Sequence, residues 1–292
     1  MDLRQFKAFV AIARQQSFTR AAEQLHIAQP AVSMAIRKLE EELELTLFNR
    51  KDKRISLTAE GEVFLRHAER ILDNFGAAQT EMAELRGLSR GEVRIGIPPM
   101  MSSYYFPRVI REFRERYPEL QLSVNGEGAG RIQRLIARGE IDMGVIAGGN
   151  VPEGLKSRRF LREEIVACVP AGHPLAAGGS ISLEVFLGQP LILFKEGYFM
   201  RELIDATARE RRLTPQVVFE TNLFSLVRSL IKEGLGVSTF LRMVVSEDPD
   251  LVALSFDPPL HLDLLIAWKA EGYLSRANRA FVDFLMERVG EV

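Results

Sequence analysis

Cysteine is nearly absent. Cys168 stands alone in 292 residues, so no disulfide can form within the chain. It lies in the apolar run EIVACVP (164–170), with no second thiol to resolve an oxidised form. That predicts a structural thiol and not a peroxide switch. Histidine is sparse as well. His26, His67, His173 and His261 are scattered without ligand spacing, so neither a metal nor another cofactor is expected. No apolar run approaches the roughly 18 residues of a membrane span. The opening stretch MDLRQFKAFVAIARQQ lacks the apolar core and small-residue cleavage site of a signal peptide. The expectation is a soluble protein of the reducing cytoplasm, with no membrane partner. No Ser-His-Asp order, P-loop or Rossmann fingerprint appears, which argues against an enzyme.

What is present is unevenly spread. Hydrophobic residues make up 47% of the chain, enough for real cores. The net charge of −1 does not advertise a polyanion partner for the whole chain. Residues 1–58, however, hold ten Lys/Arg against seven Asp/Glu. A modestly basic head on an acidic body fits a small nucleic-acid module joined to something else.

Within the head, Leu3, Phe6, Phe9, Val10 and Ala13 recur at helical spacing. Ser17 or Thr19 can cap a second helix whose Ala21, Ala22 and Leu25 face inward. After the tight connection HIA (26–28), Pro30 fits the first turn of a third helix. There Val32, Ile36 and Leu39 make an apolar face. Gln29, Ser33 and Arg37 make a polar one, with Met34 beside them. The same pattern fits an ordinary solvated face. Small alanines, a short turn and a polar third helix together form a helix-turn-helix at about 18–37, whose polar face suits a major groove. Next comes LFNRKDKRISLT (47–58), where Arg50, Lys51, Lys53 and Arg54 cluster between two β-prone pieces and read as a basic wing.

The run FVAIARQQSFTRAAEQLHIAQPAVSMAIRKLEEELELTLFNR, followed by LTAEGEVFL, resembles the N-terminal domain of LysR-type transcriptional regulators from Leu3 to about Leu72. The resemblance implies that Gln29, Pro30, Ser33, Met34, Arg37, Arg50, Lys53 and Arg54 meet double-stranded DNA at an interrupted palindromic operator. Two residues depart from the family's pattern. Ala28 stands where Ser or Thr often precedes the Gln-Pro pair, and Met34 where a polar residue often follows the helix serine. Met34 would touch a thymine methyl or a sugar.

From Thr58 a long helix is expected. Phe64, Ala68, Ile71, Phe75, Ala78, Met82 and Leu85 are spaced 4-3-4-3-4-3, the seam of a helix pair. A helix packed on its own domain is the other reading. In the family this helix joins two subunits, so a homodimer, and a tetramer built as a dimer of dimers, are implied. The seam stops at GLSRG (87–91), a Gly/Ser hinge.

Beyond residue 92 strands alternate with helices. Strands are expected at EVRIGI (92–97), LQLSV (120–124), IDMGVIA (141–147), EIVACVP (164–170), PLILF (190–194), QVVFET (216–221), GVSTFL (236–241) and HLDLLIAWK (261–269). Helices are expected at 105–117, 131–138, 200–211, 223–232 and 275–288. Such alternation gives parallel sheets with covered faces. ARGEIDMGVIA, VPAGHPL and IKEGLGVS resemble the effector domain of the same family, which is similar to periplasmic solute-binding proteins. Overall this implies a multidomain α and α/β protein. Residues 1–58 form a winged helix-turn-helix and 59–88 a linker helix. Residues 92–162 with 266–292, and 163–265, form two α/β lobes crossing near 161–164 and 264–268.

Ligands of α/β sheets sit where strand ends meet helix starts, and helix starts favour anions. The candidates are Met101, Ser102 and Ser103 at the opening of the first body helix, and Gly128 in GEGAG. Lys195 and Phe199 follow in FKEGYF, then Thr221 and Asn222 in ETN. Phe240 stands where the family often has an apolar-proline pair. Each could equally be a cap, a turn or core packing; as one set they point to a small organic anion bound between the lobes. Binding would change head spacing, operator bend and contact with RNA polymerase. An enzyme and a pure solute-binding protein are the competing classes, and both leave the head unexplained.

Overall fold

Asp2 opens the first helix. Its carboxylate accepts the Arg4 and Gln5 amides while the Gln5 side chain accepts the Asp2 amide, a capping box that starts α1 (Leu3–Gln15). Ser17 caps α2 (Phe18–Leu25), and Pro30 begins α3 (Gln29–Leu43) behind Ala28, which supplies no side-chain cap. Phe6, Phe9, Ile12, Ala21, Val32, Ile36 and Leu39 are buried together where the three helices meet. Short strands β1 (Phe48–Asn49) and β2 (Ser56–Leu57) pair antiparallel. The Glu40 carboxylate ties β1 to α3 by accepting the Leu47 amide at 2.8 Å and the Phe48 amide at 3.3 Å. Thr58 then caps α4 (Ala59–Leu85), accepting the Gly61 amide and donating to the Thr46 carbonyl.

This computed structural model describes residues 1–49, 55–85, 91–149, 151–246 and 248–290. It falls into two units, Met1–Leu88 and Ser89–Val292. The second unit is α/β. Its elements in order are β3 (Glu92–Ile97), α5 (Pro99–Tyr104), α6 (Phe106–Arg116), β4 (Gln121–Gly126), α7 (Ala129–Ala137), β5 (Met143–Ala147) and β6 (Leu155–Pro170). There follow β7 (Ser180–Ser182), α8 (Leu183–Leu187), β8 (Pro190–Phe194), α9 (Phe199–Arg211), β9 (Gln216–Thr221) and α10 (Phe224–Lys232). The chain ends through β10 (Ser238–Leu241), α11 (Arg242–Val245), β11 (Leu251–Lys269) and α12 (Arg276–Glu287).

Two long antiparallel strands join the lobes. β6 and β11 pair from Leu155 opposite Lys269 to Pro170 opposite Leu251. At one end β11 pairs with β5, which continues to β3 and β4; at the other, β6 pairs with β10. β8 and β9 form a parallel pair, and Leu191 bridges to Val237 ahead of β10.

Three expectations change. The sheets expected to be parallel are mixed, since β11 runs antiparallel to β5 and β6, while the helix expected at 105–117 stands as α6, preceded by the short α5. The strand expected at 164–170 begins at Leu155, and the one expected at 261–269 begins at Leu251. The charged stretch LKSRRFLREE carries little apolar signal because much of it faces solvent.

Candidate functional site

The third helix has two faces in fact as well as in pattern. Val32, Ile36 and Leu39 are fully buried, while Gln29, Pro30 and Arg37 are exposed and Ser33 is half-buried. The Gln29 amide nitrogen donates to the Ser33 hydroxyl at 2.9 Å, so these two side chains present one joined polar surface. Met34, 68% exposed, projects beside them. Arg50, Lys53 and Arg54 lie outside the described residues, as does the side chain of Leu85.

The seven-residue seam on α4 divides in two. Phe64 stacks on Phe6 at 5.6 Å and meets Phe9 edge-on at 5.0 Å. Ala68 is buried in the same core. These two therefore belong to the head's own interior, which corrects their place in an intersubunit seam. Ile71 (42%), Phe75 (40%) and Met82 (51%) are exposed, and so is Ala78.

Between the lobes lies a pocket of roughly 60 Å³. Its floor is Leu262 and Leu264 of β11 with Leu241 of β10. One wall is Pro98 to Met101, Ala129, Ile146 and Ala147; the other is Phe194, Tyr198 to Met200, and Phe224. Besides the short α5 and α11, three longer helices begin at it, through Ala129 of α7, Phe199 of α9 and Phe224 of α10, and none of the three has a side-chain cap. Among the described residues no charged side chain lines it. Burial raises the Tyr198 phenol above its ordinary pKa, and the charge of Glu127 adds to the effect.

Of the residues chosen from sequence, the pocket gathers Met101 and Phe199. Phe240 is not among its lining. It is fully buried and packs on Phe194 and Phe224, and the alternation of β10 gives the pocket its neighbour Leu241. Ser102 and Ser103 are not at a helix opening. They are the fourth and fifth residues of α5, and the Ser102 hydroxyl donates to the Pro99 carbonyl. The buried Thr221 hydroxyl accepts the Leu223 amide, while Ser103, Lys195 and Asn222 are exposed. Gly128 is the N-cap of α7, next to the lining residue Ala129. Sequence reasoning missed Pro98, Ala129, Ile146, Tyr198, Leu241, Leu262 and Leu264. The stretches GEGAG and FKEGYF did hold Ala129 and Tyr198, and strand parity within HLDLLIAWK offered a signal for Leu262 and Leu264, which alternate there.

Elsewhere, burial pushes the Cys168 thiol up to about 12, with the nearby Asp248 charge adding to it. Among the described residues no group of three or more His, Cys, Asp or Glu is placed to hold a metal ion. No helix there is long and apolar enough to cross a membrane.

Residues 3–62 match the family model for bacterial regulatory helix-turn-helix proteins of the lysR family, and residues 86–290 match the LysR substrate binding domain. The chain belongs to the LysR family: it is a LysR-type transcriptional regulator with an effector-binding domain. Its relatives include two HTH-type transcriptional regulators of Bacillus subtilis (strain 168). YcgK is 33% identical over 307 residues, covering 98% of this chain and 94% of its own. YwbI is 30% identical over 286 residues, covering 97% and 95%. Full-length OxyR from Pseudomonas aeruginosa, 24% identical, shares the fold with a TM-score of 0.72 over 99% of this chain and 94% of that one.

Proposed function

We propose that the protein is a cytoplasmic, effector-responsive regulator that binds an interrupted palindromic operator as a homodimer or homotetramer. In this reading residues 1–58 bind DNA and 59–88 join subunits. Residues 92–162 with 266–292, and 163–265, are the two effector lobes. Gln29, Ser33 and Arg37 read or position on the major groove, Pro30 and Met34 lie against it, and Arg50, Lys53 and Arg54 contact phosphate or the minor groove. The observation that carries the reading is the outward polar face of α3 over a fully buried apolar face.

Subunits pair through Ile71, Phe75, Ala78 and Met82, whose exposed apolar side chains keep heptad spacing. The effector is a small organic anion with a largely apolar body. Apolar lining supports the body, and three uncapped helix starts support the charge. Its differential affinity for one arrangement of the lobes shifts the population. The change reaches operator bend and RNA polymerase through the spacing of the heads.

The test is fluorescence anisotropy of the full-length protein on an operator recovered by selection from random duplexes, with and without a panel of small organic acids. Salt-dependent binding to the selected duplex, changed by at least one acid, is the expected result. Equal affinity for selected and random duplexes would overturn the DNA-binding reading.

A further inference from the structure

The interlobe pocket is smaller than any effector it could serve. Its roughly 60 Å³ is the share of about two waters, against about 300–1,000 Å³ for ordinary ligand pockets. A contact between the lobes lies at its edge. Gly128, at the start of α7 on one side, lies under the loop that leads into α9 on the other. A Cβ placed on Gly128 would stand 3.0 Å from the Gly197 carbonyl oxygen and 3.3 Å from the Tyr198 ring. Gly128 has φ −67 and ψ 151, a conformation open to any residue, so what requires glycine there is the close approach. Gly197 has φ +87, a conformation that favours glycine. The Tyr198 ring covers Gly128 and stacks on Phe194 at 5.7 Å, and both rings line the pocket.

We propose that the loop Glu196–Tyr198 is the door of the effector pocket, shut against Gly128 and lifted whenever a ligand larger than the closed pocket enters. The inference rests on the reading of this pocket as the effector site. A shut door lowers apparent affinity by the fraction of molecules that are open. If the door is closed nine-tenths of the time, propping it raises affinity about tenfold.

The probe is 8-anilinonaphthalene-1-sulfonate, an anion with an apolar body, titrated by fluorescence into the full-length protein. Gly128→Ala should prop the door and raise dye affinity severalfold. Tyr198→Ala should do the same by removing the ring. Gly130→Ala is the control, because its Cβ would meet the Gly197 carbonyl at an ordinary 3.6 Å and should leave dye affinity unchanged. Ala147→Leu fills the pocket and should abolish the gain when combined with Gly128→Ala. Each variant's cooperative thermal melt excludes a dye response from unfolding, and Tyr198→Ala decides the matter if Gly128→Ala does not fold. No gain in the propped variants, with dye binding still blocked by Ala147→Leu, overturns the door and leaves the pocket reading standing. A gain that survives Ala147→Leu places the dye elsewhere and overturns both.

Discussion

The two halves of α4 carry one heptad spacing and meet opposite surroundings. Phe64 and Ala68 press into the head's own core, while Ile71, Phe75, Ala78 and Met82 face outward. A period in sequence marks a face; it does not say what covers that face. Strand β10 repeats the lesson one residue apart, since Phe240 fills a core and Leu241 lines a pocket.

The sharpest way to break the comparison is a charge on each half. Ala68→Asp buries an unpaired carboxylate in the head, a cost of several kcal/mol. It should abolish the head's cooperative melt; a folded variant would mean that Ala68 is not interior. Next in size is Phe240→Ala, which empties a fully buried site and should lower stability by about 3–5 kcal/mol. Denaturant unfolding measures it, and a loss well under 1 kcal/mol would return Phe240 to the pocket lining. Ile71→Asp should leave the head's melt intact and shift sedimentation from dimer toward monomer. A dimer that persists would sink the outward half as a subunit contact.

The smallest effect concerns Glu163, a half-buried carboxylate. Glu163 is directly opposite Leu262, so it shares the face that floors the pocket. Burial raises its pKa, opposed by the Met243 amide and the Arg242 charge. The fold therefore disfavours ionised Glu163. Wild type loses this part of its stability as pH rises from the ordinary glutamate pKa, about 4.3, through the raised folded value. Glu163→Gln keeps an acceptor for Met243 and lacks that loss. It should be modestly more stable than wild type at neutral pH and no more stable in acid. Parallel melts across pH check it, and an advantage that grows toward acid would reverse the sign.

Much of the head was legible because helices within 60 residues bury one another, so period, cap and turn residues all act locally. Ser17, Pro30 and the Val32–Ile36–Leu39 stripe are instances. The pocket was not, since its lining comes from residues as distant as Pro98 and Leu264. Hydroxyls drew attention in sequence, yet Ser102 and Thr221 spend theirs on nearby backbone. The apolar residues that form the cavity look like any core residue until two lobes face each other. The crossing strands were half legible: β6 was read without its charged first half, and β11 without its first half, which runs into Pro258 and Pro259.

The most direct measurement is the operator affinity of Arg37→Ala, read by anisotropy beside wild type on the selected duplex and on a random one. Loss of a base-reading arginine should cost about 1–3 kcal/mol on the operator and leave random-duplex binding nearly unchanged. Operator affinity equal to wild type, in a folded protein, would contradict the outward face of α3 as the surface that reads DNA.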